Sequence, residues 1–302
     1  FVRGVGHEKA VLVAALAIGV GVAWWRLSQG PIELGFLRQQ IQTELSRARG
    51  GRPVVIRGVE LTWSHSGGAL DLRAVGVSIE DGRGHVLSHA REARLVLSVL
   101  PLLVGRIAVE RAEFDGGEIS ITHKINGATW VAFGPPNGPP DIIVPPPPLG
   151  ETLEQSVARM LDGLQAAFAP VGGAGSLRSI GVRNAGLTII DDRSGGRWTA
   201  RAASLALARR GDTLSLAANA RVEGARGAAP ASLNITTDTR FQSAVIEFGA
   251  REARPRALFS PAALGPFAGL DAPVTATVSV GLDRHDGISR FEGDVNLELH
   301  TR

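Results

Sequence analysis

The sequence of 302 residues contains no cysteine and no tyrosine, one methionine and only 5% aromatic residues. Without cysteine it can form no disulfide, no thiolate zinc site and no CxxC redox centre, and it has no thiol nucleophile. An excess of charge of one sign is also missing, because 32 basic and 29 acidic residues give a formal net charge of +3. This composition does not predict a nucleic-acid-binding protein.

Motifs of catalysis and cofactor binding are missing as well. The sequence has no GxSxG, P-loop, GxGxxG, HExxH or EF-hand spacing. His85 and His89 have a metal-ligand spacing, but in a strand or turn they would not share a face as they would on a helix. Asp191 and Asp192, followed by Ser194-Gly195-Gly196, are typical of a turn. We therefore predict that the protein is not an enzyme and binds neither a metal nor a cofactor.

A long apolar run lies near the beginning of the sequence. Every residue from Ala10 to Trp25 is apolar or glycine, between Lys9 and Arg26. Sixteen helical residues span about 24 Å, and snorkelling of the flanking cations extends that reach. We predict a single transmembrane helix, with a cleaved signal peptide and a buried core helix as the alternatives. The predicted anchor residues are Ala10, Leu12, Leu16, Ile18, Val22, Trp24 and Trp25.

Beyond this segment, the apolar pattern predicts two helices and many strands. Ile32–Ala48 and Glu151–Phe168 repeat apolar residues every three or four positions, as amphipathic helices do. The apolar face of the second helix is expected to comprise Leu153, Val157, Met160, Leu161, Leu164 and Phe168. After Gly50-Gly51, and again after Gly175, apolar and polar residues alternate, as in strands with one buried face. The predicted fold class is mainly β: a long curled antiparallel sheet of repeated hairpins. Its later strands are expected at Thr213–Arg221, Ala231–Thr237, Ser243–Phe248, Val274–Leu282 and Gly287–Leu299.

A proline-rich stretch separates the two strand blocks. Its sequence, GPPNGPPDIIVPPPP, predicts an extended spacer. We predict four parts: stub and anchor (1–28), helix and first β-segment (29–134), linker (135–150), and helix and second β-segment (151–302). The second β-segment is expected to continue beyond residue 302.

Several stretches resemble a known family. GPIELGFLRQQIQTELS, VVIRGVELTW and ARLVLSVLPLLVGRIAVERAEFDGGEISI resemble the N-terminal region of the AsmA-like proteins, with the corner at Leu100–Ile107 as the most specific piece. The second block, IGVRNAGLTIIDDRSGGRWTARAASLALARRGDTLSL, is most similar to the large YhdP/TamB-type branch.

The resemblance implies a bacterial inner-membrane anchor and a periplasmic sheet curled into a U-shaped groove that carries phospholipid toward the outer membrane. The implied partners are phospholipid, the inner membrane, and outer-membrane or other envelope proteins. By alternation, the groove lining is expected to comprise Leu61, Trp63, Leu70, Leu72, Leu95, Leu97, Ile107, Val109, Ile119, Ile121, Leu187, Ile189, Leu205, Leu207, Leu214 and Leu216. A bulge is expected between Leu72 and Val75, where the alternation can change phase.

Two other readings remain open. The apolar faces could seal each other as an ordinary core, which would make the protein a membrane-anchored structural or assembly scaffold that recruits β-proteins at a sheet edge. A membrane-anchored hydrolase is disfavoured, because no nucleophile and base can be recognised. An open groove predicts that Leu97→Glu leaves the fold largely intact and abolishes lipid transfer, whereas a sealed core predicts that it unfolds the domain.

Overall fold

The computed structural model describes residues 32–33, 38–39, 42, 53–63, 69–80, 84, 86–98, 108–172, 177–259, 264–269 and 272–297. Of these residues, 63% lie in strands, which confirms the predicted mainly β class. The predicted anchor lies outside the described residues. Among the helices of the described part, none combines the length and the apolar character that crossing a membrane requires.

The described residues form fifteen strands, two α-helices and one 3₁₀-helix. The strands are β1 (Ile32–Glu33), β2 (Val54–Trp63), β3 (Ala69–Glu80), β4 (Val86–Ser98), β5 (Val109–Gly116), β6 (Glu118–His123), β7 (Thr129–Ala132), β8 (Ile142–Val144), β9 (Ser179–Asp191), β10 (Gly196–Arg210), β11 (Thr213–Glu223), β12 (Ala228–Asp238), β13 (Ser243–Ala253), β14 (Val274–Asp283) and β15 (Gly287–Leu297). The helices are α1 (Leu153–Gly172), α2 (Pro255–Leu258) and a 3₁₀-helix at Gly265–Gly269.

All fifteen strands belong to one sheet, whose main path is β1-β2-β3-β4-β5-β9-β10-β11-β12-β13-β14-β15. Off this path, β6 pairs with β7 and β9, and β7 pairs with β8. Neighbouring strands are antiparallel, with two exceptions: β9 pairs in parallel with β5 and with β6. The prediction of an antiparallel sheet is therefore wrong at this junction, and the sheet is mixed. The chain kinks at Gly116 and Gly117, both with positive φ, and continues as β6 along the same neighbour. It then passes through β7, β8 and α1, a connection long enough for parallel pairing.

The first predicted helix is partly wrong. Ile32 and Glu33 form β1, whose residues pair with Leu61 and Glu60 of β2. Backbone hydrogen bonding to this strand edge outweighs the helical apolar spacing at the start of the segment. Helical conformation occurs farther along, at Arg38, Gln39 and Gln42.

The proline-rich segment is not only a spacer. Ile142–Val144 pair with β7 and extend the sheet by one short edge strand. The four prolines that follow lack backbone donors and have no regular structure. Because β9 pairs with β5 and β6, one sheet is continuous across the predicted linker.

Helix α1 begins with a reciprocal cap. The Gln155 amide nitrogen donates to the Thr152 hydroxyl at 3.3 Å, and the Thr152 amide nitrogen donates to Gln155 Oε1 at 3.0 Å. Its buried face includes Val157, Leu161 and Phe168, as predicted. Two residues expected on that face, Leu153 and Met160, are exposed instead.

Helix α1 packs across one end of strands β10 to β15. Phe168 and Val171 pack with Leu207, Leu214 and Phe241. Farther toward its N-terminus, Val157 and Leu161 pack with Ala244 and Leu282. On its outer side, Arg284 Nη2 donates to Asp162 Oδ1 at 2.8 Å. The helix therefore covers this end of the sheet face.

We predict that Phe168→Ala lowers the free energy of unfolding by about 3–5 kcal/mol, because it leaves a cavity between α1 and the sheet. Urea unfolding monitored by circular dichroism measures this change. The control is Leu153→Ala on the same helix, whose side chain is 59% exposed and should change stability by less than about 0.5 kcal/mol. Equal effects of the two substitutions would contradict this packing.

Candidate functional site

The strand register aligns apolar residues into rows that cross the sheet. Paired residues of neighbouring strands project from the same face, so each row can be followed from β2 to β15. One row consists of Leu61, Leu72, Leu95, Ala112, Ile180, Leu207, Leu216, Ile235, Ile246, Val280 and Phe291. The next row on the same face consists of Val59, Ala74, Ala93, Phe114, Val182, Leu205, Ala218, Leu233, Phe248, Val278 and Gly293. Both rows lack a polar side chain, and we call this side the apolar face.

The opposite face is polar. The row between the two apolar rows contains Glu60, Arg73, Arg94, Glu113, Gly181, Ala206, Ala217, Asn234, Glu247, Ser279 and Glu292. Arg73 Nη2 lies 2.7 Å from Glu92 Oε2, and this hydrogen bond raises the pKa of Arg73. Cross-strand ion pairs of this kind stabilise a solvated sheet face.

The register brings together most of the predicted lining residues. Leu61, Leu72, Leu95, Leu207 and Leu216 belong to the first row, and Leu205 belongs to the second. The other lining residues with described pairs are these: Leu70 pairs with Leu97, Leu97 with Val109, Ile119 with Leu187, Ile121 with Ile189, and Leu214 with Arg209 and Thr237. Trp63 lies opposite Leu70, and Ile107 is outside the described residues. Their contact with lipid stays a prediction.

The buried positions change phase at Gly76. Leu72 and Ala74 are buried on one side of it and Val77 on the other, while across the ladder the phase changes between Ile56 and Val59. Gly76 has a φ of +63°, and a Cβ there would lie 2.7 Å from Arg57 Cδ. Glycine is required at this position, which lies just beyond the stretch where a bulge was expected.

The apolar face of the first strand block forms a hydrophobic core, against which the half-buried Leu61, Leu70 and Leu95 pack. Val54, Ile56, Val59, Leu72 and Leu97 pack together there and are nearly inaccessible. Leu97, expected at an open position, is only 7% exposed. A charge at this position should therefore unfold the block whatever the protein does, so Leu97→Glu does not discriminate between a groove and a core.

In the second block, α2 covers the end of the apolar face that lies opposite to α1. Trp198 Nε1 donates to the Leu258 carbonyl at 2.6 Å, and the Trp198 and Phe259 rings are 5.6 Å apart. The close approach depends on Gly224 and Gly227, where a Cβ would lie within 2.8 Å of α2 atoms. The sequence pattern did not predict that α2 covers this face. The two glycines that flank the β11–β12 turn could have indicated it, because they allow another segment to approach closely.

An uncovered region remains between α1 and α2. We call it the open apolar strip; it comprises Ala218, Leu233, Phe248, Val278, Phe291 and Val295. Phe248 is 48% exposed and Phe291 69% exposed. Leu214 under α1 and Gly224 under α2 are separated by about 33 Å along their strand, at 3.3 Å per residue. The alternation that predicted β12 to β15 could have identified these strip residues, but the predicted lining ended at Leu216.

The described residues provide no evident site for chemistry. No three acidic or histidine side chains in the described ranges are grouped as metal ligands. Asp191 completes a turn, because its carboxylate accepts hydrogen bonds from the Ser194 hydroxyl at 2.6 Å and the Arg193 amide at 3.0 Å. These bonds lower its pKa. A cavity of about 630 Å³ lies on the polar face, lined by residues such as Asn219, Asn234 and Glu247.

A polar cluster lies at the parallel junction between β5 and β9. Asn184 Nδ2 donates to Asp115 Oδ1 at 2.6 Å, and Arg91 Nη2 lies 3.3 Å from the same oxygen. The bond from Asn184, helped by the charges of Arg91 and Arg183, lowers the pKa of Asp115. These contacts lie where the two strand blocks join.

No family model, curated protein or solved structure matches the chain. The family resemblance therefore stays a prediction from the sequence.

We predict that Asn184→Gly raises the pKa of Asp115 toward its ordinary value, because it removes the strongest hydrogen bond to the carboxylate. Glycine also tolerates the φ of +53° at this position. A lowered pKa contributes stability at pH values above the unfolded-state pKa, and this contribution is lost as the pH falls through the folded-state pKa. The part of the stability difference from wild type that comes from the Asp115 carboxylate should therefore vanish in acid. The backbone effect of glycine at this position does not depend on pH.

Carboxyl carbon chemical shifts in an NMR titration measure the Asp115 pKa. Asn219→Gly, on the polar face of β11, is the control and should leave it unchanged. An Asp115 pKa that does not move in Asn184→Gly would contradict this junction geometry.

Proposed function

We propose that the protein binds phospholipid acyl chains along the open apolar strip and conducts lipid between the two membranes of a bacterial envelope. One observation carries the proposal: apolar rows run unbroken across eleven strands, and part of that face is left uncovered by α1 and α2. Exposed aromatic side chains on a continuous apolar face are a common mark of a binding surface.

The energetics favour a passive surface over a chemical mechanism. Moving two acyl chains of roughly 16 carbons through water costs on the order of 20 kcal/mol, at about 0.8 kcal/mol per methylene. An apolar surface in continuous contact with the chains removes most of that cost. The protein then needs neither a cofactor nor a catalytic group.

The dimensions of the strip suit acyl chains. An extended chain occupies half of a bilayer core of about 30 Å, or about 15 Å. Leu216 packs against the cluster under α1, and Val222 pairs with the buried Ala229 near α2. These two positions are six residues apart on β11, about 20 Å at 3.3 Å per residue, which exceeds this length. Because the rows run across the strands, a lipid could pass from strand to strand and remain on apolar side chains.

The remaining parts of the proposal concern the shape of the sheet and the place of the chain in the envelope. In it, the sheet curls around the lipid as a U-shaped groove, and residues 10–25 anchor the protein in the inner membrane. The strand blocks lie in the periplasm, and outer-membrane or other envelope proteins are further partners.

One observation favours a second function, as a scaffold for envelope assembly. Within the described residues, β15 is the last strand in the sheet order, and all its residues after Gly287 are exposed. Such an edge can add a strand from another protein.

We predict that Phe248→Glu reduces lipid that copurifies with the full chain by about tenfold, because a carboxylate on the strip must lose hydration when a chain covers it. The matched control is Val245→Glu on the same strand. Val245 is 43% exposed but lies on the polar face, opposite Thr236 and Gly281. Native mass spectrometry with lipid extraction measures the bound lipid, and transfer of a fluorescent lipid between vesicles measures conduction.

Three results would contradict this function. These are a wild-type chain free of lipid, equal lipid in both variants, and transfer that persists in Phe248→Glu. A lipid-free chain that captures envelope proteins through β15 would favour the scaffold.

A further inference from the structure

Positive charge is concentrated at one end of the sheet. Residues 193–201, 221–227 and 251–256 lie at the end of β10 to β13 that α2 covers, as the strand register requires. These three segments contain two glutamates and eight arginines: Arg193, Arg197, Arg201, Arg221, Arg226, Arg251, Arg254 and Arg256. This excess of six charges is larger than the net charge of +3 of the whole chain.

The opposite end of the same strands is electrically balanced. The turns at 209–212, 238–240 and 283–286 contain four arginines and four aspartates. Several of these aspartates accept backbone hydrogen bonds in their own turns, as in the bond from the Arg240 amide to Asp238 at 2.6 Å. The asymmetry therefore distinguishes the α2 end from the α1 end of the open apolar strip.

Acidic residues near the α2 end leave its arginines largely uncompensated. Asp192 is paired with Lys124 at 3.0 Å, and Asp191 bonds within its turn. Arg201 is 3.9 Å from Glu223, a weak contact at an exposed position. Arg226, Arg254 and Arg256 are exposed, and none forms an ion pair with an acidic residue in the described part of the chain.

These three arginines lie directly beside the strip. The Arg226 amide donates to the Ala257 carbonyl of α2 at 3.0 Å, and Arg254 immediately precedes that helix. Arg256 is part of it. Exposed like charges repel each other, and a guanidinium group forms paired hydrogen bonds with phosphate oxygens. A bound phosphate would relieve this repulsion.

We propose that Arg226, Arg254 and Arg256 bind the phosphate of an anionic phospholipid whose acyl chains lie on the open apolar strip. This inference rests on the proposed function and adds a headgroup preference to it. The charged end and the apolar strip together match the two chemically different halves of such a lipid. Free phosphate has the same phosphate chemistry as the headgroup but has no acyl chains to contact the strip.

The test uses the full chain in a non-ionic detergent and two photoactivatable lipids with identical acyl chains, phosphatidylglycerol and phosphatidylcholine. Wild type should crosslink to phosphatidylglycerol in preference to phosphatidylcholine. The variant R226Q/R254Q/R256Q should lower phosphatidylglycerol crosslinking by about 3- to 10-fold, as expected for three exposed charge-assisted contacts. Its phosphatidylcholine crosslinking should fall by a smaller factor, because choline places a cation beside the same phosphate and weakens its attraction to arginine.

The matched control is R178Q/R210Q/R240Q, which removes three exposed arginines at the α1 end. It should leave both crosslinking yields unchanged. If this control lost as much phosphatidylglycerol crosslinking as R226Q/R254Q/R256Q, the effect would depend only on net charge, and the inference would be overturned. Inorganic phosphate should compete poorly, because it lacks acyl chains. Full competition by phosphate would indicate a free-anion site, and stronger competition by an oligonucleotide would indicate a polyanion site; either result overturns the headgroup inference.

Failure of this inference can be distinguished from failure of the proposed function. Equal crosslinking of both lipids that Phe248→Glu abolishes would overturn the headgroup preference and retain the lipid-binding strip. No crosslinking of either lipid above background would overturn both.

Discussion

The cross-strand register is the constraint on which the rest of the structure depends. A shift of one residue in any ladder would move polar side chains into the apolar rows and apolar ones out of them. The most demanding place is β9, where two strands from the first block pair in parallel with one strand of the second. Ala112 and Phe114 meet Ile180 and Val182 there, so both rows cross from one block to the other. Gly76 has a related role, because its left-handed conformation keeps Val77 on the buried side when the alternation changes phase.

The apolar face is buried to different extents along the sheet. In the first block it is buried, and its residues act as a conventional core. In the second block, α1 and α2 cover only the two ends of the strands. The region between them retains exposed aromatic and aliphatic side chains, which cost free energy in water unless something covers them. This difference separates positions where a charge would unfold the protein from positions where it would leave the fold intact.

Charge follows the same division of the second block. In the turns near α1, acidic and basic residues are equal in number, and aspartates accept backbone hydrogen bonds within their own turns. The arginines near α2 have few acidic neighbours, and the local excess exceeds that of the whole chain. A near-neutral composition therefore conceals a strongly polarised surface. The long-range electrostatic field of a protein depends on where its charges lie as well as on their sum.

The sequence by itself determined the strand content, the second helix and the alternation of the second block, because these depend on local periodicity. β11 to β15 and the buried residues Leu161 and Phe168 agree with that pattern. Only the tertiary structure decided that Ile32 joins a strand, that β9 pairs in parallel, and that Leu97 is buried while Phe248 is exposed. Alternation assigns a residue to a face but does not reveal what covers that face. Likewise, the clustering of Arg226 with Arg254 and Arg256 depends on contacts between residues far apart in the chain.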